Sequence, residues 1–372
     1  MRSQRDMGPQ PIPGAKRRRG VTLIELLVVV SILMMLLVVA VPMIRPGLES
    51  RRIREAARQV NVYLASAQTQ AARLGRPVGV ELVRDPDVPQ MCRVLQQVEV
   101  PPAYAGDTVD TRIQLQLGSV DPSDGRTYIG AQLASGSVSP GLFRKGDWLQ
   151  VNYQGPYYQI VDGPDADSDG FLDGFPLTLK VDLRGGRNVP WPAGGWSVLM
   201  PFQIFRSPEK GAAAPLRLPE KTCIDLAFSG TDTLPFQAGL KNASGNWVPD
   251  GTGVLILFSP AGGVETIWRG QVGMVGTQER IVSTAFSALE SIYLLVGRPE
   301  RVPRDLDPGV YTAPNYTSLA EDGWLNPRDL TNLIVAIRPQ NGLITTSEVA
   351  SVTQPGEDFR DYARESQTMG GR

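Results

Sequence analysis

The chain has 372 residues, long enough for a sizeable buried core and for about two domains. Its 37 Lys+Arg nearly balance 38 Asp+Glu and 42% of it is apolar, which excludes a composition-driven disordered chain and a nucleic-acid polycation. It contains no histidine, so Ser-His-Asp triads, Cys-His dyads, His-ligated zinc and imidazole acid-base chemistry are excluded together.

In chain order, a leader carrying Arg2, Arg5, Lys16, Arg17, Arg18 and Arg19 against Asp6 runs into Val21 to Ile44, 24 residues whose one charge is Glu25. As a helix rising about 1.5 Å per residue the run extends about 36 Å, enough for a hydrocarbon core of roughly 30 Å, so a membrane-spanning helix is predicted. The far flank offsets Arg45, Arg51, Arg52 and Arg54 with Glu49 and Glu55. The charge asymmetry puts the N-terminus on the cytoplasmic side and the bulk of the chain outside. Subtracting the leader's +5 from the total of −1 leaves −6 for the remainder, which argues against nucleic acid as a partner, because phosphate recognition rests on clustered Lys and Arg.

An ionised carboxylate at mid-bilayer costs about 2.5–3.5 kcal/mol, so Glu25 needs an account. Either it sits near the cytoplasmic interface, where it snorkels, or it awaits a positive partner. A cut after Gly20 would create one as a new α-amino group.

The stretch Arg19-Gly20-Val21-Thr22-Leu23-Ile24-Glu25-Leu26-Leu27 resembles the type IV prepilin signal, whose usual form is Gly followed by Phe-Thr-Leu-Ile-Glu. The resemblance implies that a prepilin peptidase cuts after Gly20 and methylates Val21, which departs from the usual Phe or Met. It implies also that Glu25, with Thr22 beside it, pairs with the amino terminus of a neighbouring subunit during filament assembly. Pro42 stands where many type IV pilins carry a proline that lets the helix loosen. Other pilins or pseudopilins, an inner-membrane assembly platform and the lipid bilayer are the partners so implied.

After Pro46-Gly47, which is predicted to interrupt and kink the helix, Ile53, Ala57, Val60, Leu64, Ala67, Ala71 and Leu74 recur at intervals of four and three. This is an amphipathic helix ending near Gly75, its stripe expected to pack on its own domain. From Arg76 short β-rich runs follow. Val78 to Val83 reads as a strand, Val254 to Phe258 with Val264 to Trp268 as a hairpin, and Leu333 to Ile337 with Leu343 to Thr345 as another, turned by Asn341-Gly342. The order of helix, strand and later hairpins resembles the H-type minor pseudopilins of type II secretion. The expected fold is therefore α+β and pilin-like: a long N-terminal helix, membrane half then amphipathic half, packed on an antiparallel β-rich head with an inserted β subdomain. The expected segments are a leader at 1–20, the helix halves at 21–44 and 45–75, the head at 76–347 with its insert at about 85–216, and a polar tail at 348–372. The tail is expected to be mobile apart from a short helix near Phe359 to Glu365.

Within the insert, Trp148, Tyr153, Tyr157, Tyr158, Phe171, Phe175, Trp191 and Trp196 are expected chiefly in a core, with a sugar- or peptide-binding surface as the alternative. Cys92 and Cys223 fit one long-range disulfide or two buried thiols. Asp165, Asp167, Asp169 and Asp173 occupy loop positions 1, 3, 5 and 9, with Gly170 at 6 and the Phe171 carbonyl at 7. Alternate oxygens in a tight turn suit calcium, and the loop resembles that of an EF-hand, but Pro176 replaces the bidentate Glu at position 12 and neither flank is helical. A calcium-bound β-β loop, completed by Asp162, and a solvated acidic turn are the two readings. No other motif assembles an active site. A non-enzymatic subunit of the cytoplasmic (inner) membrane is expected, built into a type II secretion pseudopilus or type IV pilus. The alternative is an anchored envelope protein whose head captures a secreted substrate, a glycan or DNA.

Overall fold

A computed structural model describes residues 22–120, 127–168, 170–181, 195–275, 278–304, 306, 325–352 and 358–369. At 38–48, 119–120, 181, 273–275 and 278–280 the backbone alone is described. The elements in order are α1 (Leu23–Leu74), β1 (Val78–Arg84), β2 (Met91–Glu99), β3 (Arg112–Val120), β4 (Thr127–Ser135), β5 (Trp148–Val151), β6 (Tyr157–Asp162), β7 (Leu177–Val181), β8 (Phe202–Phe205), β9 (Glu209–Lys210) and β10 (Leu216–Arg217). They continue with β11 (Cys223–Gly230), β12 (Gly239–Lys241), β13 (Trp247–Pro249), β14 (Val254–Phe258), β15 (Val264–Val275), β16 (Gln278–Ser287), β17 (Ile292–Gly297), β18 (Leu333–Ile337), β19 (Ile344–Glu348) and α2 (Asp361–Thr368). The described residues fall into two units, divided between Ser50 and Arg51.

In the larger unit, the main antiparallel sheet of the described residues runs β16-β15-β14-β1-β2-β11-β17-β18-β19, with β9 and β10 also paired to β2. The helical stripe folds as its spacing dictates. Ile53, Ala57, Val60, Leu64, Ala67 and Ala71 are all buried in one cluster with Val80, Leu95, Ile256 and Leu294 of the sheet. Each of the larger aliphatic side chains stabilises the join by about 1.5–3 kcal/mol through removal from water. Ala56 belongs to the same buried face, whereas Leu74, the last residue of the expected stripe, is exposed because the helix ends there. Gly75 takes a left-handed φ of +64° and its N–H donates to Ala71 O at 3.0 Å, a helix stop that needs no side chain. α1 is helical from Leu23 to Leu74, through Pro46 and Gly47.

All six residues of β17 are buried because the sheet is covered on both faces. Ile292, Leu294 and Val296 face α1, while Tyr293 and Leu295 join Phe228, Ile334, Ala336, Phe359 and Ala363 in a cluster on the opposite side. The tail is thus docked rather than mobile in its described part. Arg360 lies over the Tyr293 and Phe359 rings, at 5.3 and 5.1 Å from their centroids, and donates to Phe228 O at 2.8 Å.

Between β2 and β9 the chain forms a second sheet in the order β3-β4-β7-β6-β5-β8. The segment entering β8 bridges back to β3 through Gln116 with Trp196 and Ile113 with Met200, the latter pair exchanging two 2.9 Å backbone bonds. The sheet is thereby closed into a barrel whose interior holds Phe143, Leu149, Phe202, Ile129 and Ile113. This second sheet lies within the stretch 85–216 where an inserted β subdomain is expected, and that stretch also holds strands of the main sheet. β2 lies inside the main sheet between β1 and β11, and β9 and β10 pair with it, so those strands belong to the head proper.

Two features lock the head. Arg84, buried, donates to Thr252 O at 2.7 Å, Pro89 O at 3.0 Å and Phe236 O at 2.9 Å, and pairs with buried Asp250 at 3.3 Å. Burial pulls the Arg84 guanidinium below its usual range, and Asp250 pushes it part of the way back. Gln68 of α1 donates to Gly262 O at 2.6 Å and to Gly342 O at 3.4 Å, tying the helix to the turns of both sequence-predicted hairpins.

Candidate functional site

At the start of α1, Thr22 precedes the first helical residue, and its Oγ1 accepts the Glu25 N–H at 3.3 Å. Leu26 N–H donates to Thr22 O at 3.1 Å. Thr22 is therefore the N-cap, and Thr-x-x-Glu has the spacing of a capping box. The Thr-x-x-Glu spacing by itself carries this signal. An acid in the first turn also faces the positive end of the helix macrodipole. Glu25 is exposed, and so are Leu23, Ile24, Leu26, Leu27, Ile32, Leu33 and Met35 around it. An exposed apolar helix surface of this extent is of the kind that marks an interaction surface. Gly20 and Val21 lie outside the described residues, and Pro42 is described by its helical backbone alone. Among the described residues no helix is long and apolar enough to cross a membrane. The expected span Val21 to Ile44 reaches beyond Leu23 to Leu37, the part of it with described side chains.

The other sequence-singled residues fall elsewhere. Cys92 and Cys223 are both free and buried, so the disulfide alternative is corrected in favour of two thiols. Register explains it. Cys92 lies opposite Ile224 and shares its face toward α1, so Cys223, one residue earlier, points to the opposite face, beside Met91 and Val302. Burial pushes the Cys92 thiol up to about 12, away from thiolate chemistry.

In the acidic loop, Asp169 lies outside the described residues. Asp173 Oδ2 accepts the Ala166 N–H at 2.7 Å, and Asp162 pairs with Lys145 at 2.7 Å. Phe171 bridges Arg144, whose guanidinium lies 5.7 Å from the Phe171 ring centroid. Among the described residues Asp165, Asp167 and Asp173 form no group that could hold a metal ion.

Burial pushes the Asp225 carboxyl up to about 7 against bonds from Asn326 Nδ2 at 2.8 Å and Ala227 N–H at 3.1 Å. Fully enclosed between strands, it serves a structural polar cluster and offers no surface to a substrate. Of the aromatic residues expected in a core, Tyr158 is buried, whereas Trp148, Tyr153, Tyr157 and Trp196 are exposed; Trp191 lies outside the described residues.

A family model described as the prokaryotic N-terminal methylation motif matches residues 15–41. The chain carries the signature of type IV prepilin and pseudopilin-like proteins. Neither a curated protein nor a solved structure matches it. The prepilin-type stretch takes in Gly20, Val21, Thr22 and Glu25 and ends one residue before Pro42. The motif's family is structural rather than enzymatic and implies a membrane-anchored pilin-like protein, processing by a prepilin peptidase and assembly with other pilins.

Proposed function

We propose that this chain is a pilin-like structural subunit, cut after Gly20 and N-methylated at Val21, that assembles by helix packing into a type II secretion pseudopilus or type IV pilus, or primes one. The observation that carries the reading is the methylation motif set on an exposed apolar helix end, with Glu25 in its first turn. The apolar run would first anchor the chain in the cytoplasmic membrane, head outward, and then pack against neighbouring subunits. Cleavage would free an α-amino group, and the carboxylate of Glu25 in a neighbouring subunit would hold it by a charge-assisted bond. In an apolar surrounding that pair is short and poorly screened, so it selects register between helices. α1 from Ile53 onward is fixed to the sheet, and the head travels with it.

The test is Glu25→Val. Processing of the variant should persist, because Gly20 and Val21 at the cut are unchanged, while crosslinking to other pilin-like subunits in the native envelope should fall at least ten-fold, which corresponds to about 1.4 kcal/mol. Unchanged crosslinking would remove the charge-pairing role.

A further inference from the structure

The outer wall of the barrel carries a surface that neither the N-terminal motif nor the core of the fold uses. Along β5, Leu149 and Val151 point inward, so Trp148 and Gln150 point out. Register then fixes their neighbours. Trp148 lies between Gln159 of β6 and Phe205 of β8, and Gln150 between Tyr157 of β6 and Gln203 of β8. Three aromatic rings and three amides therefore share one outward face. Trp148 is 41% and Tyr157 51% exposed, although each is large enough to fill a core. The Tyr157 and Phe205 rings meet edge to face at 5.2 Å across the strand between them, which explains why outward-pointing Gln150 is only 8% exposed. Gln150 is also fixed in place, donating to Gly155 O at 3.1 Å. The rings are thus braced on a closed sheet rather than carried on a loop.

Charge decides what such a face can hold. None of the six side chains is a carboxylate, an ammonium or a guanidinium. Beyond Gln159 the register places Lys180, and at the end of β6 Asp162 is neutralised by Lys145 at 2.7 Å. Phosphate-bearing chains need several clustered cations, and single-stranded bases need a basic groove beside their stacking rings. A bilayer surface likewise draws on basic residues together with an apolar face. What an array of rings and amides without a formal charge complements is a ligand that is itself uncharged, apolar on its faces and rich in hydroxyls at its edges. Ring faces accept C–H groups by dispersion, and each glutamine amide both donates and accepts.

We propose that the outer face of β6, β5 and β8 binds a neutral polysaccharide, its sugar rings stacked on the exposed Trp148 and Tyr157, with Phe205 bracing Tyr157, and its hydroxyls bonded to Gln159 and Gln203. The step is non-covalent. It is independent of how the N-terminus is processed, so its failure and the failure of the pilin-like reading are separate results.

The test is native affinity electrophoresis of the full chain, held in a detergent without a sugar headgroup, through gels with and without hydroxyethyl cellulose, xylan or galactomannan. At least one polysaccharide should retard the protein. Trp148→Ala and Tyr157→Ala should each weaken that retardation ten-fold or more while the head keeps its cooperative thermal transition, since both side chains lie outside the barrel core. Gln203→Ala, which removes no ring, should weaken it less. Passage of the unsubstituted chain through all three gels without retardation would overturn the proposal. So would equal retardation of the ring variants, or a ring-dependent shift produced by duplex DNA or anionic vesicles but by no polysaccharide.

Discussion

Asp250→Ala is expected to destabilise the head by about 3–5 kcal/mol, because it leaves the Arg84 guanidinium buried without its counter-charge. The three backbone carbonyls that Arg84 serves are separated widely in sequence, at Pro89, Phe236 and Thr252, so the guanidinium joins the β1-β2 turn to the segments on either side of the β12-β13 hairpin. Arg84→Ala should be at least as damaging, since it strands those carbonyls and the carboxylate together. The double variant Arg84→Met with Asp250→Leu should recover a large part of the loss, because an apolar pair of similar volume carries no desolvation penalty. Thermal unfolding of the full chain in detergent measures all four proteins. Additive losses in the double variant would show that the two groups act separately.

The second large effect is expected at Gly342. Its φ of +64° costs an L-residue about 1–2 kcal/mol, and a Cβ there would stand 1.9 Å from Gly262 O and 2.3 Å from Gln68 Nε2. Backbone must move, and the Gln68 bonds that join α1 to both turns are lost with it. Gly342→Ala should therefore cost roughly 3 kcal/mol or more. Gly75 supplies the control, with the same φ of +64° and nothing within 4 Å of its would-be Cβ. Gly75→Ala should lose only the conformational part, about 1 kcal/mol. Equal losses at the two glycines, read from the same unfolding curves, would mean that the Gln68 junction contributes nothing.

These two sites mark the boundary of what the sequence makes legible. The stripe from Ile53 to Ala71 and the strands at Val78, Val254, Val264 and Leu333 are local patterns, and each forms where its period and turn residues predict. The Thr22-x-x-Glu25 cap is equally local. By contrast, Arg84 meets Asp250 across 166 positions, and no period announces such a pair. The face on which Cys223 lies depends on a register that a slip of one residue would invert. β2 reads as insert in the sequence because nothing local says that it pairs with β11, and the barrel is closed by bridges from Trp196 and Met200, which belong to no regular strand. The exposure of Trp148 and Tyr157 follows from Leu149 taking the inward position, a choice between two faces that composition leaves open. The docked tail depends on Arg360 finding two rings and a carbonyl of the finished sheet.

The claim on which the functional reading turns is that the polypeptide is severed between Gly20 and Val21 before it works. Intact-mass and N-terminal peptide spectra of the protein extracted from its native membranes, with the prepilin peptidase present and deleted, measure this directly. The account predicts a chain beginning at methylated Val21 when the peptidase is present and at the leader when it is absent. A chain that still begins with the leader in the presence of the peptidase would contradict it.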